Sequence, residues 1–292
     1  MSLLRIVFLG LVVALAAPAA ADAAKPKRQL YVSLGDSYAI GYQPSVVHGA
    51  GGTRNGFAYQ VPGLARARGY RFKLVNFGCG GETSVSLLER TAACRGLGPG
   101  GRHYAGLPQI AAAERFLRAH RGEVGLVTVS IGGNDVVACV DEAEPIPCIA
   151  TVVQQLQKNV TEIAERLRAA AGENVRIVGI TYPSVVLGLW VGVGANQDLA
   201  RLSIVALKEL INPTLKRAYE AAGGTFVDVT AASGAYEPLD QTTDRLRGYG
   251  TIPVAVAKVC ELTYYCEFRD IHARTSGYRL IARLIVKTLP RR

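Results

Sequence analysis

A three-layer α/β/α fold around a central parallel sheet is what this sequence predicts, and three observations carry the expectation. Short apolar, β-rich runs alternate with longer stretches whose apolar residues recur at helical spacing. Those runs are nearly continuous rather than alternating, as strands covered on both faces are. The chain has 292 residues, 49% of them hydrophobic and 19% charged, which gives material for a full core and excludes a disordered or collagen-like chain.

Gln29 to Leu34 reads as the first strand, stopping at Gly35. Phe57 to Arg68 has helical spacing, Phe72 to Asn76 is strand-like, Pro108 to His120 helical, and Val124 to Ile131 a buried strand. From Thr151, the positions Val152, Val153, Leu156, Val160, Ile163, Leu167 and Ala170 follow the i, i+3, i+4 rule and end at Gly172. Val175 to Ile180 is another apolar strand. Asp198 to Ala222 is expected to be a helix broken at Asn212-Pro213. Phe226 to Val229 is short and β-like, and Ser276 to Leu289 closes the chain as a helix with Tyr278, Ile281, Ala282 and Ile285 on one face. Strands joined by helices imply right-handed crossovers and a parallel sheet. No internal repeat or domain boundary is evident.

Residues 1–23 are set apart from the fold. Arg5 precedes the continuous apolar stretch Ile6 to Ala17, and Ala21-Asp22-Ala23 provides a small-residue cleavage pattern. The stretch is shorter than the roughly 20 residues of a bilayer span, so a secretory signal peptide is expected. Residues 24–292 then form a single secreted domain.

Six cysteines follow that segment: Cys79, Cys94, Cys139, Cys148, Cys260 and Cys266. An even number behind a signal peptide argues for disulfides. Their sequential spacing suggests the pairs 79–94, 139–148 and 260–266, although other connectivities stay open. No CxxC occurs and the histidines are not interleaved with the cysteines at ligand spacing, so no metal site is expected. The net charge of +10 suits peripheral contact with anionic surfaces. The basic residues are scattered, however, and no aromatic-basic motif points to nucleic acid. A monomer is expected.

Ligands of parallel sheets bind beyond the carboxyl ends of the strands. The first strand runs into Gly35-Asp36-Ser37, the second into Asn76 to Thr83, and the third into Gly132-Gly133-Asn134-Asp135, while Asp270-Ile271-His272 precedes the last helix. Ser37, in a strand-to-helix turn, is a candidate nucleophile, with a cap as its plainer role. His272 is its candidate base, and Asp270, two residues earlier in an extended segment, can face the same side and orient it. The Ser37 N–H, the Gly81 N–H and the Asn134 side-chain amide could receive an oxyanion. These residue types suit ester hydrolysis through an acyl-enzyme without metal or organic cofactor. The GxSxG elbow of α/β-hydrolases is absent around Ser37.

Taken together, GDSYAIG with Ser37, NFGCGGET with Gly81, GGND with Asn134 and DIH with His272 resemble the four blocks of the SGNH hydrolases, the GDSL-type esterases and lipases. They occur in order and span Gly35 to His272. The resemblance implies a flavodoxin-like three-layer fold and a serine esterase or lipase, and the cysteine pairs are similar to those of secreted actinobacterial-type members with three local disulfides. The last block departs from the family's DxxH: the acid stands two residues before His272, and Arg269 occupies the usual place. Some members resemble Ser-His dyads oriented by a backbone carbonyl, an alternative for Asp270, and the adjacent Gly80 is an alternative to Gly81.

The segment Ser184 to Asn196 contains the only tryptophan, Trp190. With Leu187 and Leu189, Trp190 is a candidate wall for an acyl pocket, because the segment follows a strand. That favours acyl or lipid esters. Carbohydrate acetyl esters are the alternative within enzymes, and a non-catalytic secreted binding protein is the alternative outside them.

Overall fold

The computed structural model describes residues 28–49, 51–89, 94–104, 106–140 and 142–292. The expected signal segment, residues 1–23, lies outside them. Five strands, β1 (Arg28–Gly35), β2 (Arg71–Asn76), β3 (Val124–Ser130), β4 (Arg176–Ile180) and β5 (Thr225–Val227), form one sheet in the order β2-β1-β3-β4-β5. Every pairing in it is parallel. This is the flavodoxin-like strand order, in which the direction of winding reverses between β1 and β3 and a crevice opens beyond their carboxyl ends.

Successive residues of each strand feed opposite cores, as the period of two requires. Val32 and Leu34 of β1, Val127 and Val129 of β3 and Ile177 of β4 pack beneath the helices Gln109–Ala119, Pro145–Ala171 and Asn212–Ala221. Tyr31, Leu126, Val178 and Ile180 point the other way, under the helices Phe57–Ala65 and Thr275–Lys287. The four residues expected on the inner face of the last helix, Tyr278, Ile281, Ala282 and Ile285, are all fully buried there. A third, smaller core gathers Leu187, Val191, Ala200 and Ile252 with Ala255, Val256 and Val259 of the helix Val254–Leu262.

The differences from expectation lie at element ends. The helix expected from Thr151 begins at Pro145, with Pro145 and Pro147 in a first turn where no backbone donor is needed. Val229 leaves the strand, because the Asp228 side chain caps the short helix Val229–Ala232 by accepting the Ala231 N–H at 2.8 Å. Pro213 does not break its helix. The preceding residues Ala206–Ile211 widen into a π-helical stretch, and Pro213 sits in the first turn of Asn212–Ala221.

All three sequential cysteine pairs are disulfides: Cys79–Cys94, Cys139–Cys148 and Cys260–Cys266. No helix of the described residues is long and apolar enough to cross a membrane.

Candidate active site

β1 ends where the crevice opens. Gly35 has φ 128°, and a Cβ there would lie 2.0 Å from the Ser130 carbonyl oxygen of neighbouring β3, so only glycine lets the chain turn this close to the sheet. Its backbone is held on both sides by Gln109, whose Oε1 accepts the Gly35 N–H at 2.6 Å and whose Nε2 donates to the Gly35 carbonyl at 3.0 Å. Asp36, not Ser37, caps the short helix Ser37–Ile40: its Oδ1 accepts the Tyr38 N–H at 2.9 Å. Ser37 is therefore the first helical residue, with its hydroxyl free for other work.

That hydroxyl lies 2.8 Å from His272 Nε2. On the opposite side of the ring, His272 Nδ1 is 2.7 Å from Asp270 Oδ1, which also accepts the His272 backbone N–H at 2.9 Å. The short DxH spacing thus reaches the imidazole through a tight Asx-type turn. The Asp270 carboxyl is raised by burial, but its hydrogen bond to His272 and the imidazole charge outweigh that and hold it below the usual carboxylate range. Neither Arg269 nor Arg274 pairs with it: Arg274 binds Glu267, and Arg269 donates to backbone carbonyls. The ring of His272 is packed against Tyr42 at 4.3 Å between centroids, and the Ile271 carbonyl beside it accepts the Tyr38 hydroxyl at 2.7 Å.

Asp36 is a second, deeper carboxylate. Tyr182 donates its hydroxyl to Asp36 Oδ2 at 2.6 Å and Ser130 donates to Oδ1 at 3.3 Å. Burial pushes the Asp36 carboxyl up to about 6 against those donors and the attraction of His272. Tyr182 was not singled out by sequence, although it stands just beyond the carboxyl end of β4, where site residues are expected.

The oxyanion candidates come together beside this chain. Asn134, in the helical turn Gly133–Val137 after β3, donates Nδ2 to the Glu82 carbonyl at 2.7 Å, which leaves its second amide hydrogen available. Gly81, next to Glu82, has φ 82°, a conformation suited to glycine. Among the described residues, no backbone acceptor takes the Ser37 or Gly81 N–H, whereas the Gly80 N–H is spent on the Gly96 carbonyl at 2.9 Å. That favours Gly81 over Gly80 as a donor. Asp135 anchors the turn from behind: its carboxylate accepts the Ser84 N–H and the Ser84 hydroxyl, the latter at 2.6 Å. Glu82 itself is buried, and burial pushes its carboxyl up to about 7.

Ser37, Tyr38 and Asn134 open onto an apolar cavity of about 110 Å³. Val136 and Val137, Val185 and Val186, Leu199 and Leu202, and Ala206, Leu207 and Ile211 continue its walls. The expected wall residues Leu187, Leu189 and Trp190 are elsewhere. Leu187 is fully buried in the third core, Leu189 and Trp190 pack on that core, and the Arg201 guanidinium lies 4.4 Å above the Trp190 ring. The 3-10 turns of Val185–Trp190 carry only the first two residues to the cavity and turn the rest toward the helix Val254–Leu262.

A hydroxyl, an imidazole and a carboxylate bonded in series, with unpaired N–H groups nearby and an apolar hollow alongside, can pass a proton and hold a negative oxygen. Solved structures share the architecture. An extracellular lipase from Streptomyces rimosus is similar with a TM-score of 0.55 at 18% identity, covering 89% of this chain and 98% of that one. A phospholipase A1 from Streptomyces albidoflavus is similar with a TM-score of 0.52 at 18% identity, with the same coverage. No curated protein sequence matches this chain. The model of the GDSL-like lipase/acylhydrolase family matches residues 33–280, a stretch that contains every strand-end turn described above and both Asp270 and His272. The chain belongs to the GDSL-like lipase/acylhydrolase family and is an ester hydrolase of that family.

Proposed function

We propose that the protein is a secreted serine esterase that cleaves acyl or lipid esters through an acyl-enzyme on Ser37. His272 Nε2 takes the hydroxyl proton as Ser37 Oγ attacks the ester carbonyl, and Asp270 holds the ring with Nδ1–H donating to it. The N–H groups of Ser37 and Gly81 and the Asn134 amide receive the developing oxyanion. His272 then returns the proton to the departing alcohol, and a water molecule, activated by the same imidazole, releases the acid.

The observation that carries the reading is the bonded series from Ser37 to Asp270 at the mouth of an apolar cavity. The nearly wholly apolar lining supports an acyl chain rather than a sugar as the group bound on the acid side. Three disulfides and the apolar leader support export.

Hydrolysis of p-nitrophenyl acetate, butyrate, octanoate and palmitate by the oxidised protein, with Ser37→Ala beside it, tests this. Turnover lost in the variant and favouring the longer chains is the expected result. A preference confined to acetate would replace the lipid reading with acetylester hydrolysis, and turnover unchanged in Ser37→Ala would overturn the mechanism.

A further inference from the structure

Arg269 stands where the resemblance leads one to expect an acid, and its surroundings show a different use for the position. It is the only non-glycine residue with positive φ among the described residues, at 54°. Such a conformation is disfavoured for a side-chain-bearing residue and persists only when other contacts hold it. The Arg269 N–H ends the turn Tyr265–Phe268 by donating to the Tyr265 carbonyl at 2.8 Å. Its guanidinium then reaches across to one segment, donating to the carbonyls of Gly188 at 3.4 Å, Val191 at 3.0 Å and Val193 at 2.5 Å.

The segment so held runs on from the cavity wall. Val185 and Val186 line the cavity, and the chain then continues to Val193, which is 98% exposed. Beside the Arg269 contacts, Leu187 and Val191 anchor it in the third core, and its ends are tied by Leu187 N–H to Ser184 O at 3.0 Å, Val191 N–H to Gly188 O at 3.3 Å and Asn196 N–H to Leu189 O at 2.8 Å. At the other end of the clasp, the three residues after Arg269 are Asp270, Ile271, which also lines the cavity, and His272.

We propose that Arg269 is a positioning residue that fastens the segment Val185–Val193, whose first two residues line the cavity, to the loop carrying Asp270 and His272, and thereby sets which acyl lengths are accepted. The proposal rests on the reading of the cavity as the acyl site. A planar fork of donors can satisfy several carbonyls at once, which the single ammonium of lysine cannot reproduce.

The test uses Arg269→Gly and Arg269→Lys in the full oxidised chain. Glycine adopts the left-handed turn without strain, so the backbone of the loop keeps its path while the fork is removed. Two readouts are compared with wild type: kcat and KM across the p-nitrophenyl ester series, and acrylamide quenching of the fluorescence of Trp190, the chain's only tryptophan and part of the held segment. In Arg269→Gly, kcat/KM on octanoate is expected to fall about tenfold more than on acetate, mainly through KM. The quenching constant is expected to rise about twofold as the segment loosens, with Arg269→Lys between the two proteins in both measurements. Loss by the same factor at every chain length overturns the proposal, as does an unchanged quenching constant in the folded variants. Should wild type hydrolyse none of the esters, the ester reading fails on that result alone and quenching still decides whether the clasp exists.

Discussion

Asp270 Oδ1 accepts two hydrogen bonds from the same residue, the ring Nδ1 of His272 at 2.7 Å and its backbone N–H at 2.9 Å. The imidazole is thus fixed in direction by a carboxylate that is itself fixed by the chain. Asp270→Asn keeps the shape but can present its amide to Nδ1 and stabilise the wrong tautomer. It is expected to lower kcat on p-nitrophenyl butyrate by roughly 10³-fold to 10⁴-fold, with Tm little changed. A loss below tenfold would assign the orienting role to a backbone carbonyl.

Asn134→Ala removes one proposed oxyanion donor and the bond that holds the Glu82 carbonyl. A fall in kcat of about 10²-fold to 10³-fold with little change in KM is expected from steady-state kinetics. A change confined to KM would place Asn134 in ground-state binding only.

Asp36 ties catalysis to stability with an unusual sign. Its carboxyl sits near 6 in the fold, against an ordinary value of 3.8. Between those values the folded state holds the proton more firmly than the unfolded chain, so this group's contribution to stability falls as pH rises through the interval. The resulting penalty is absent below about pH 4 and complete above about pH 6, on the order of 3 kcal/mol. Asn can still accept the Tyr38 N–H, so Asp36→Asn should melt higher than wild type at pH 8, and the difference should vanish at pH 4. The variant also loses the electrostatic attraction between the Asp36 carboxylate and the His272 ring, so its kcat should fall.

Leu202→Trp is expected to shorten the cavity proposed to take the acyl chain. Leu202 lines it from the helix Gln197–Val205 and is only partly buried, so a larger ring can be accommodated there. Hydrolysis of octanoate should drop about tenfold while acetate stays within about threefold. Parallel losses on both esters would show that the chain binds elsewhere.

The Cys79–Cys94 bond closes a loop of sequence separation 15 around Gly80 and Gly81. Removing it as Cys79→Ala/Cys94→Ala should cost about 3 kcal/mol in chemical unfolding. Activity should fall further than stability explains at a temperature where the variant remains folded. Full activity there would make the bond a simple staple.

The centre of the sheet was legible because β1, β3 and β4 are buried on both faces along most of their length, and their runs are accordingly apolar. The serine, histidine, asparagine and glycine blocks were legible because the turns that hold them need particular small or polar residues. The helix Val254–Leu262 was not, since Val254-Ala-Val-Ala alternates with β-branched residues, and packing on the third core overrides that preference. Trp190 shows the same boundary from the other side. Its segment is apolar as read, but whether it faces the cavity or the third core depends on the path the 3-10 turns take after Val186. Tyr182 was passed over because a tyrosine at the end of an apolar run is ordinarily core, and only the Asp36 contact reveals its role.

The π-helical stretch Ala206–Ile211 makes chain length itself part of the specification. A π-helical turn takes up one residue more than a regular α-helical ladder does, so deleting one residue there restores the ladder and leaves the helices on either side in phase. An added residue has no second bulge to absorb it and would rotate everything downstream by about 100°. Asn212 would then swing away from Asp228, Thr230 and Tyr236, to which its amide now donates, and Ile211 and Leu215 would leave the wall they share with Leu207. One side of the cavity therefore withstands the loss of a residue from this stretch far better than the gain of one.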